Sequence, residues 1–584
     1  VKECKVFSAL VTATCNTKEP NHIIWYTDGI SPADGLKKND KRKTTAVYWS
    51  ILEFGARALS HEEVWFCVTT IRNTDLHLIE GGLSHVSRLL LNTVFLELRN
   101  GIFLQLHDEE HTMHMQAIIG VLLSDLVALD ECCLLKGHNG IKLCACCANV
   151  INHRYFYGNT SGSWAVPSTC LDTTAMVAHT DASINDMLHK LSLYHGMVLG
   201  KTMSVEAFKE KEKIFGFNFS PESLLLDRQL NIGLASSLMY DWMHVYLCSG
   251  LLDVELGMLM VALKHYKSPT TYKVLGEYVK QWTFPQRNPS VLELFDDSAA
   301  RNNLKSGSFS STASQLLTLV PVLARFFSTV GVSQGYCKQQ VHSLVACLEA
   351  VEMLQAVKTG KVTPAGLMHA IKRHLTLFQL AYISDAWRPK HHIALHLPQQ
   401  LAHFGYLLSC FCVERKHRMV RRYAINRKGA NTEPGLMEDI TIQGLLELSE
   451  SHVGATQGSL TGLCKPKGHT LAALEEMYGT SSEILISTKC IANGCVCVGD
   501  VSYYMHEGSR QACQVLLHVL INSVAYTLIN AWQRVGQGCD AKSSSSCFTA
   551  TDKLSLISTQ QLESAVVYNN TNGHVVILNA AEFM

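Results

Sequence analysis

The stretch RPKHHIALHLPQQLAHFGYLLSCFCVERKHRMVRRYA, residues 388–424, carries the acid on which the reading of the fold turns. Glu414 stands among Arg415, Lys416, His417, Arg418, Arg421 and Arg422, directly after the apolar run at 406–413. The run sets the acid beside buried structure. The basic residues recur at helical spacing, with Arg415, Arg418 and Arg422 sharing one face. A carboxylate among so many cations suits a divalent metal held beside a polyphosphate. A solvated basic helix with one stray acid is the plainer alternative.

Composition narrows the classes. A chain of 584 residues has room for about two to four domains. Lysine plus arginine (50) equals aspartate plus glutamate (50), so any nucleic-acid site must be a local basic patch. With 47% apolar and 17% charged residues the chain reads as packed protein, not disorder. The 21 cysteines, clustered at 132–133 and 144–147 and without a secretory signal, read as reduced intracellular thiols, some on zinc. The apolar stretch 316–332 contains Pro321 and Arg325, so no membrane span is expected.

Working back from Glu414, two other acids stand at the ends of apolar runs. Residues 23–27, IIWYT, read as a buried strand stopped by Asp28-Gly29, and a loop with Lys37, Lys38, Lys41, Arg42 and Lys43 follows. Residues 116–124, QAIIGVLLS, read as a second buried strand that presents Asp125. Either acid alone is equally the start of an ordinary turn. Strand or strand–helix pieces are expected at 46–55 and 63–71, a helix over 82–98 and a short strand over 101–106. Cys144 and Cys147 supply two of the four ligands that tetrahedral zinc needs, leaving Cys146, His153 or a distant residue to complete it. Reduced core cysteines are the alternative. Residues 238–250 read as helical, which puts Asp241 and His244, three apart, on one face as either a ligand pair or a hydrogen-bonded couple.

Helices are expected around 186–199 and 204–215 and through 251–382, where apolar residues recur at three and four. The helix through Glu414 is expected to end near 423, with another at 440–449. Residues 455–500 read as irregular, and the tail alternates like a small β-rich module, a barrel being the natural form.

Four patterns stand in order: Thr27-Asp28-Gly29-Ile30-Ser31-Pro32; Asp125 with Lys136-Gly137, Gly140, Cys144 and Cys147; Asp241-x-x-His244; and Pro389-Lys390, His392, His396, Gly405, Glu414. In that order they resemble the eukaryotic cut-and-paste DDE transposases of the CACTA type. They are also similar to the Plavaka and Kyakuja–Dileera–Zisupton relatives. The resemblance covers about residues 20–425, with Asp34 and Asp130 as rivals for the first and second acids.

It implies an α/β chain with an RNase H-like mixed-sheet catalytic core, a large α-helical insertion and a small C-terminal β-rich module. The expected division is 1–150 as the first part of the core with the CxxC segment, 151–385 as the insertion and 386–450 as the last part of the core. A linker at 451–500 and the β-rich module at 501–584 follow. Asp28, Asp125 and Glu414 would converge as catalytic ligands of two Mg²⁺ or Mn²⁺ ions. Cys144 and Cys147, with Asp241 and His244 completing or supporting the site, would carry a structural Zn²⁺. Phosphate contacts would fall to Lys37, Lys38, Lys41, Arg42, Lys43, Arg415, Lys416, Arg418, Arg421 and Arg422. The partners implied are double-stranded DNA, both element ends and target, and further copies of the chain, in the nucleus and away from membranes. Two alternatives stand beside this: a domesticated, non-catalytic DNA- or chromatin-binding protein, and a zinc hydrolase using His391, His392 and His396.

Overall fold

The computed structural model describes residues 5–31, 43–105, 112–137, 140–156, 164–426, 432–450, 458–479, 483–491, 494–535, 545–571 and 574–578. Asp34, Lys37, Lys38, Lys41 and Arg42 lie outside the described residues. The chain is mixed α/β and divides into two compact units, residues 1–246 with 357–454 and residues 247–356 with 455–584.

In the first unit five strands form the central sheet: β1 (Asn21–Ile30), β2 (Thr44–Ile51), β3 (Phe66–Arg72), β4 (Ala117–Ser124) and β5 (Leu238–Tyr240). Their order is β3-β2-β1-β4-β5. β1–β2 and β2–β3 are antiparallel, whereas β1–β4 and β4–β5 are parallel. β1 reads as a continuous apolar run because both of its faces are covered. On one face the Trp25 indole donates to Ser87 Oγ at 3.2 Å and meets Phe95 edge-on at 5.7 Å. On the other, Tyr26 packs against Tyr48 and Trp65.

The parallel register decides where the acids go. Thr27 pairs with Ser124, and Ser124 with Tyr240. Asp28, Asp125 and Asp241 each come one residue later, in a row at the same end of three adjacent strands. β5 is a correction to the helical reading of 238–250: its three residues are too short to show a strand period.

Helix α1 (Leu126–Cys132) follows β4 and α2 (Trp242–Tyr246) follows β5. Late in the chain come α3 (Pro389–Ala394), α4 (Leu397–Phe404) and α5 (Phe411–Asn426). Proline opens both α3 and α4, where a missing N–H costs nothing. α4 stops at Gly405, whose φ of 78° is left-handed and whose N–H returns to Leu401 O. That turn lets α5 run back across the sheet. α5 buries Val413, Lys416, His417, Val420 and Ala424 and exposes Arg418, Arg421 and Arg422.

In the second unit, helices Leu251–His265, Ala313–Phe326 and Lys338–Ala356 accompany the C-terminal strands. The helical stretches Trp242–His265 and Ala313–Gln334 have the length and hydropathy of a membrane span, with 72% and 50% of their most apolar windows buried inside the protein. The first therefore matches a core helix. The strands Val501–His506, Ser509–Ile521, Val524–Arg534 and Ser545–Ser558 form the meander of an eight-stranded sheet. Its outer strands, Leu562–Ala565 and Tyr568–Thr571, are two pieces of one extended run that pairs with Val501–His506 and then with His574–Leu578. Val566 N–H donates to Val501 O and Leu578 N–H to Val567 O, so this run bridges the two ends of the sheet and closes it as a barrel would. Both faces are covered: Tyr503, Trp532 and Phe548 pack on one side, Tyr504, Val515 and Ile529 on the other.

The range expected to be irregular holds helix Gly468–Tyr478 and the short strands Ser459–Thr461, Ile484–Ser487, Lys489–Ile491 and Cys495–Cys497. Three of these strands pair among themselves and Ile484–Ser487 pairs with the long strand Ser509–Ile521, so pairing rather than local pattern defines them.

The Glu352 carboxyl in Lys338–Ala356 is pushed up to about 8 by burial first and then by Glu349. Its folded value lies above its unfolded one, so folded chain holds this proton more tightly and stability falls as pH rises through 8. Glu352→Gln is expected to remove about 1 kcal/mol of the stability lost between about pH 7 and pH 9. Denaturant melts of both proteins at the two pH values measure it.

Candidate functional site

Asp28, Glu414 and His417 each point one ligand atom into a group whose members all lie within 4.8 Å of one another. Asp28 reaches it from the end of β1, with Gly29 N–H donating to Oδ1 at 2.6 Å and the Tyr26 hydroxyl to Oδ2 at 3.1 Å. Glu414 and His417, one turn apart on α5, arrive from the opposite side of the sequence. His417 Nδ1 lies 3.6 Å from Asp28 Oδ2 and 3.7 Å from Glu414 Oε2. His244 Nε2 lies 3.6 Å from Glu414 Oε1.

The two carboxyls are driven apart in acidity. Burial pushes Asp28 up to about 6, with Glu414 and Asp125 adding to it against the pull of His417 and His244. Burial also works upward on Glu414, but His417 and then His244 bring it below the ordinary range. Close carboxyls in a low-dielectric site share protons in this way, and a divalent cation relieves the same repulsion. The donor set of two carboxylates and an imidazole therefore fits a divalent metal.

Asp125 stands beside this group rather than in it. Its Oδ1 accepts from Ala128 N at 2.7 Å and caps α1, and its charge is felt by Asp28. Of the three acids expected to converge, Asp28 and Glu414 come together and Asp125 stands outside their group, at the next strand end. Asp130, its rival, is half-buried and pushed up to about 7, by desolvation first and then by Asp125.

Asp241 is an anchor. Its Oδ1 accepts from Met243 N at 3.0 Å and Cys410 N at 3.2 Å, and its Oδ2 from His244 N at 3.2 Å while sitting 2.5 Å from His244 Nδ1. Those donors occupy the lone pairs of both oxygens. The couple orients His244 toward Glu414 and fastens the residue just before α5.

A second group, fully buried, gathers Cys144, Cys147, His392 and His396. Cys144 Sγ is 3.2 Å and Cys147 Sγ 3.4 Å from His396 Nε2, which is 3.2 Å from His392 Nε2. A tetrahedral cation with bonds of about 2.0–2.3 Å separates its ligands by roughly 3.3–3.8 Å, so these atoms are close to a ready-made shell. Gln399 Oε1, 2.9 Å from His396 Nδ1, accepts its proton and turns the Nε2 lone pair inward. Cys146 N–H donates to Cys144 Sγ at 3.3 Å. Burial opposes ionisation of Cys144, but hydrogen bonds from Cys146 and Cys147 and the charges of His396 and His392 bring it well below the usual thiol range. These four residues could hold a metal.

The partners of Cys144 and Cys147 are therefore His392 and His396, and not Asp241, His244, Cys146 or His153. The pair lies 245 residues downstream of Cys147 (392−147). The visible signal is its i, i+4 spacing, His-x3-His. His391 is not in the group; it stacks on Trp387 at 4.6 Å and Phe378 at 4.2 Å.

The basic residues divide. Arg415 pairs with Glu62 Oε1 at 2.8 Å and Ser60 O, and Lys416, only 2% exposed, donates to Glu62 O at 2.8 Å. Both tie α5 to the loop before β3. Arg418, Arg421 and Arg422 line the exposed side of α5. Lys43 is exposed and lays its stem over Gly29, where a Cβ would meet its Cε at 2.9 Å.

No protein-family model matches the chain, and no curated protein matches its sequence.

Full-length protein is expected to carry one tightly held metal equivalent by elemental mass spectrometry, lost in Cys147→Ser and in His396→Ala. The melting temperature should fall with it, by on the order of 10 °C. Strong chelation of wild type should reproduce the shift, and His391→Gln should keep the metal.

Proposed function

We propose that this chain is a DDE-type DNA strand-transfer nuclease of the CACTA, Plavaka and Kyakuja–Dileera–Zisupton kind, built on an RNase H-like core. The observation that carries the reading is the meeting of Asp28, at the end of the central strand β1, with Glu414, returned by a helix from the far side of the chain. The strand order β3-β2-β1-β4-β5, with three antiparallel-linked strands followed by two parallel ones, supports the core assignment. Asp125 at the adjacent strand end supports the triad.

Mg²⁺ or Mn²⁺, when bound there, would activate a water or 3′-hydroxyl and stabilise the leaving oxygen of an in-line phosphodiester displacement. The protein's share is positional. Asp28 and Glu414 would hold the cations, Asp125 would add negative charge from the next strand, and the Asp241–His244 couple would keep Glu414 in place. Lys43, Arg418, Arg421 and Arg422 would take the phosphates of double-stranded DNA, element ends and target alike. Cys144, Cys147, His392 and His396, soft and tetrahedral, suit a structural Zn²⁺. A nuclear location and a multimeric complex on paired ends belong to the same reading.

A second reading, a domesticated DNA- or chromatin-binding protein without catalysis, draws on one observation. Asp125 spends an oxygen on capping α1 and lies outside the 4.8 Å group.

Two assays separate them. On supercoiled plasmid, Mg²⁺- or Mn²⁺-dependent nicking is expected to fall on the order of 100-fold or more in Asp28→Asn and Glu414→Gln with folding retained. Metal-independent DNA binding with no nicking in any protein selects the binding protein. Arg418→Ala and Arg421→Ala are each expected to reduce the salt-dependence slope of DNA binding by about 1, whereas Arg415→Ala acts mainly on stability.

A further inference from the structure

His417 occupies the place where a third carboxylate would complete the group around Asp28 and Glu414. Its ring is 2% exposed and stacked on Tyr48 at 5.5 Å and 29° between planes. It lies one helical turn after Glu414, so the two side chains share a face of α5. Nδ1 faces both carboxyls at 3.6 and 3.7 Å, longer than a hydrogen bond. Nε2 is buried with no hydrogen-bond partner among the described residues. The capacity a cation would absorb is that of Nδ1, which a buried ring aims at two carboxyls beyond hydrogen-bond reach. Bonds of about 2.1 Å bring neighbouring ligands to roughly 3 Å, so His417 Nδ1 needs to close on each carboxyl by about 0.6 Å.

We propose that His417, through Nδ1, is an inner-sphere ligand with Asp28 and Glu414 of a cation site that prefers Mn²⁺ to Mg²⁺, while Asp125 acts on it by charge from outside. Imidazole nitrogen suits transition metals, whereas Mg²⁺ keeps hard oxygen ligands and water. The proposal rests on the metal-dependent reading of this site and names the cation and the ligand it selects.

The test uses full-length protein with its Cys144–Cys147–His392–His396 group saturated with Zn²⁺, so that added Mn²⁺ is kept off those histidines. Mn²⁺ affinity is read from the free-ion electron paramagnetic resonance signal, with Mg²⁺ as competitor. Electron spin-echo modulation then reports whether ¹⁴N is bonded to the ion. Expected are one Mn²⁺ site lost in Asp28→Asn, preference over Mg²⁺ on the order of tenfold or more, and ¹⁴N coupling in wild type. The coupling should vanish in His417→Gln and persist in His244→Gln and Asp125→Asn.

Mn²⁺ that binds through Asp28 without ¹⁴N coupling overturns the assignment of His417 and leaves the carboxylate site standing. Coupling that survives in His417→Gln overturns it in favour of His244. Absence of any Asp28-dependent Mn²⁺ binding overturns both this assignment and the metal-dependent reading of the site. Should His417→Gln lose its zinc or its melting transition, the wild-type spectrum alone still decides whether nitrogen is a ligand.

Discussion

The carboxylate of Asp241, wholly out of solvent, accepts from the backbone N–H groups of Met243, His244 and Cys410 and contacts His244 Nδ1. Burying such a charge costs several kcal/mol unless its lone pairs are filled, and here they are. The bond to Cys410 fixes the residue whose carbonyl receives Glu414 N–H at 2.8 Å. The end of β5 is thereby fastened to the start of α5. Without that fastening Glu414 would have no fixed height above the strand ends, and the group with Asp28 and His417 would not assemble.

The Cys144–Cys147–His392–His396 group brings together a second pair of segments far apart in sequence. Closing long loops is entropically costly, but the cost grows only slowly with length, so a few strong polar or metal ties suffice. Both sets of contacts fall on the segment from 389 to 426, one at α3 and α4 and one at α5. Arg415 and Lys416 add a third attachment through Glu62. The basic cluster around Glu414 thus serves two ends: its inner members hold the helix down, and its outer members face solvent.

Much of this was legible in residue order. The run Ile23-Ile24-Trp25-Tyr26 announced a buried strand, residues 116–124 announced a second, and both put an aspartate at the strand end. The helix carrying Glu414 was visible in its periodicity. Other parts were not legible for definite reasons. β5 has three residues, fewer than any period can mark. The strands between 459 and 497 exist through pairing with distant partners. Nothing in the spelling of Arg415 or Lys416 distinguishes them from Arg418, because Glu62 selects them and Glu62 is 353 residues away (415−62).

By itself the sequence determined the covered strands, the acids at their ends, the Cys-x2-Cys pair and the amphipathic helix that carries Glu414, because each is written in neighbours within a turn or a strand. Tertiary structure decided which of these meet. It gave Cys144 and Cys147 the histidines 392 and 396, turned Asp241 into an anchor, and spent an oxygen of Asp125 on a helix cap. It also brought His417 to the two carboxylates. Ligand sets and ion pairs are properties of distance in space, and distance between residues hundreds of positions apart is set only when the sheet register and helix packing are complete.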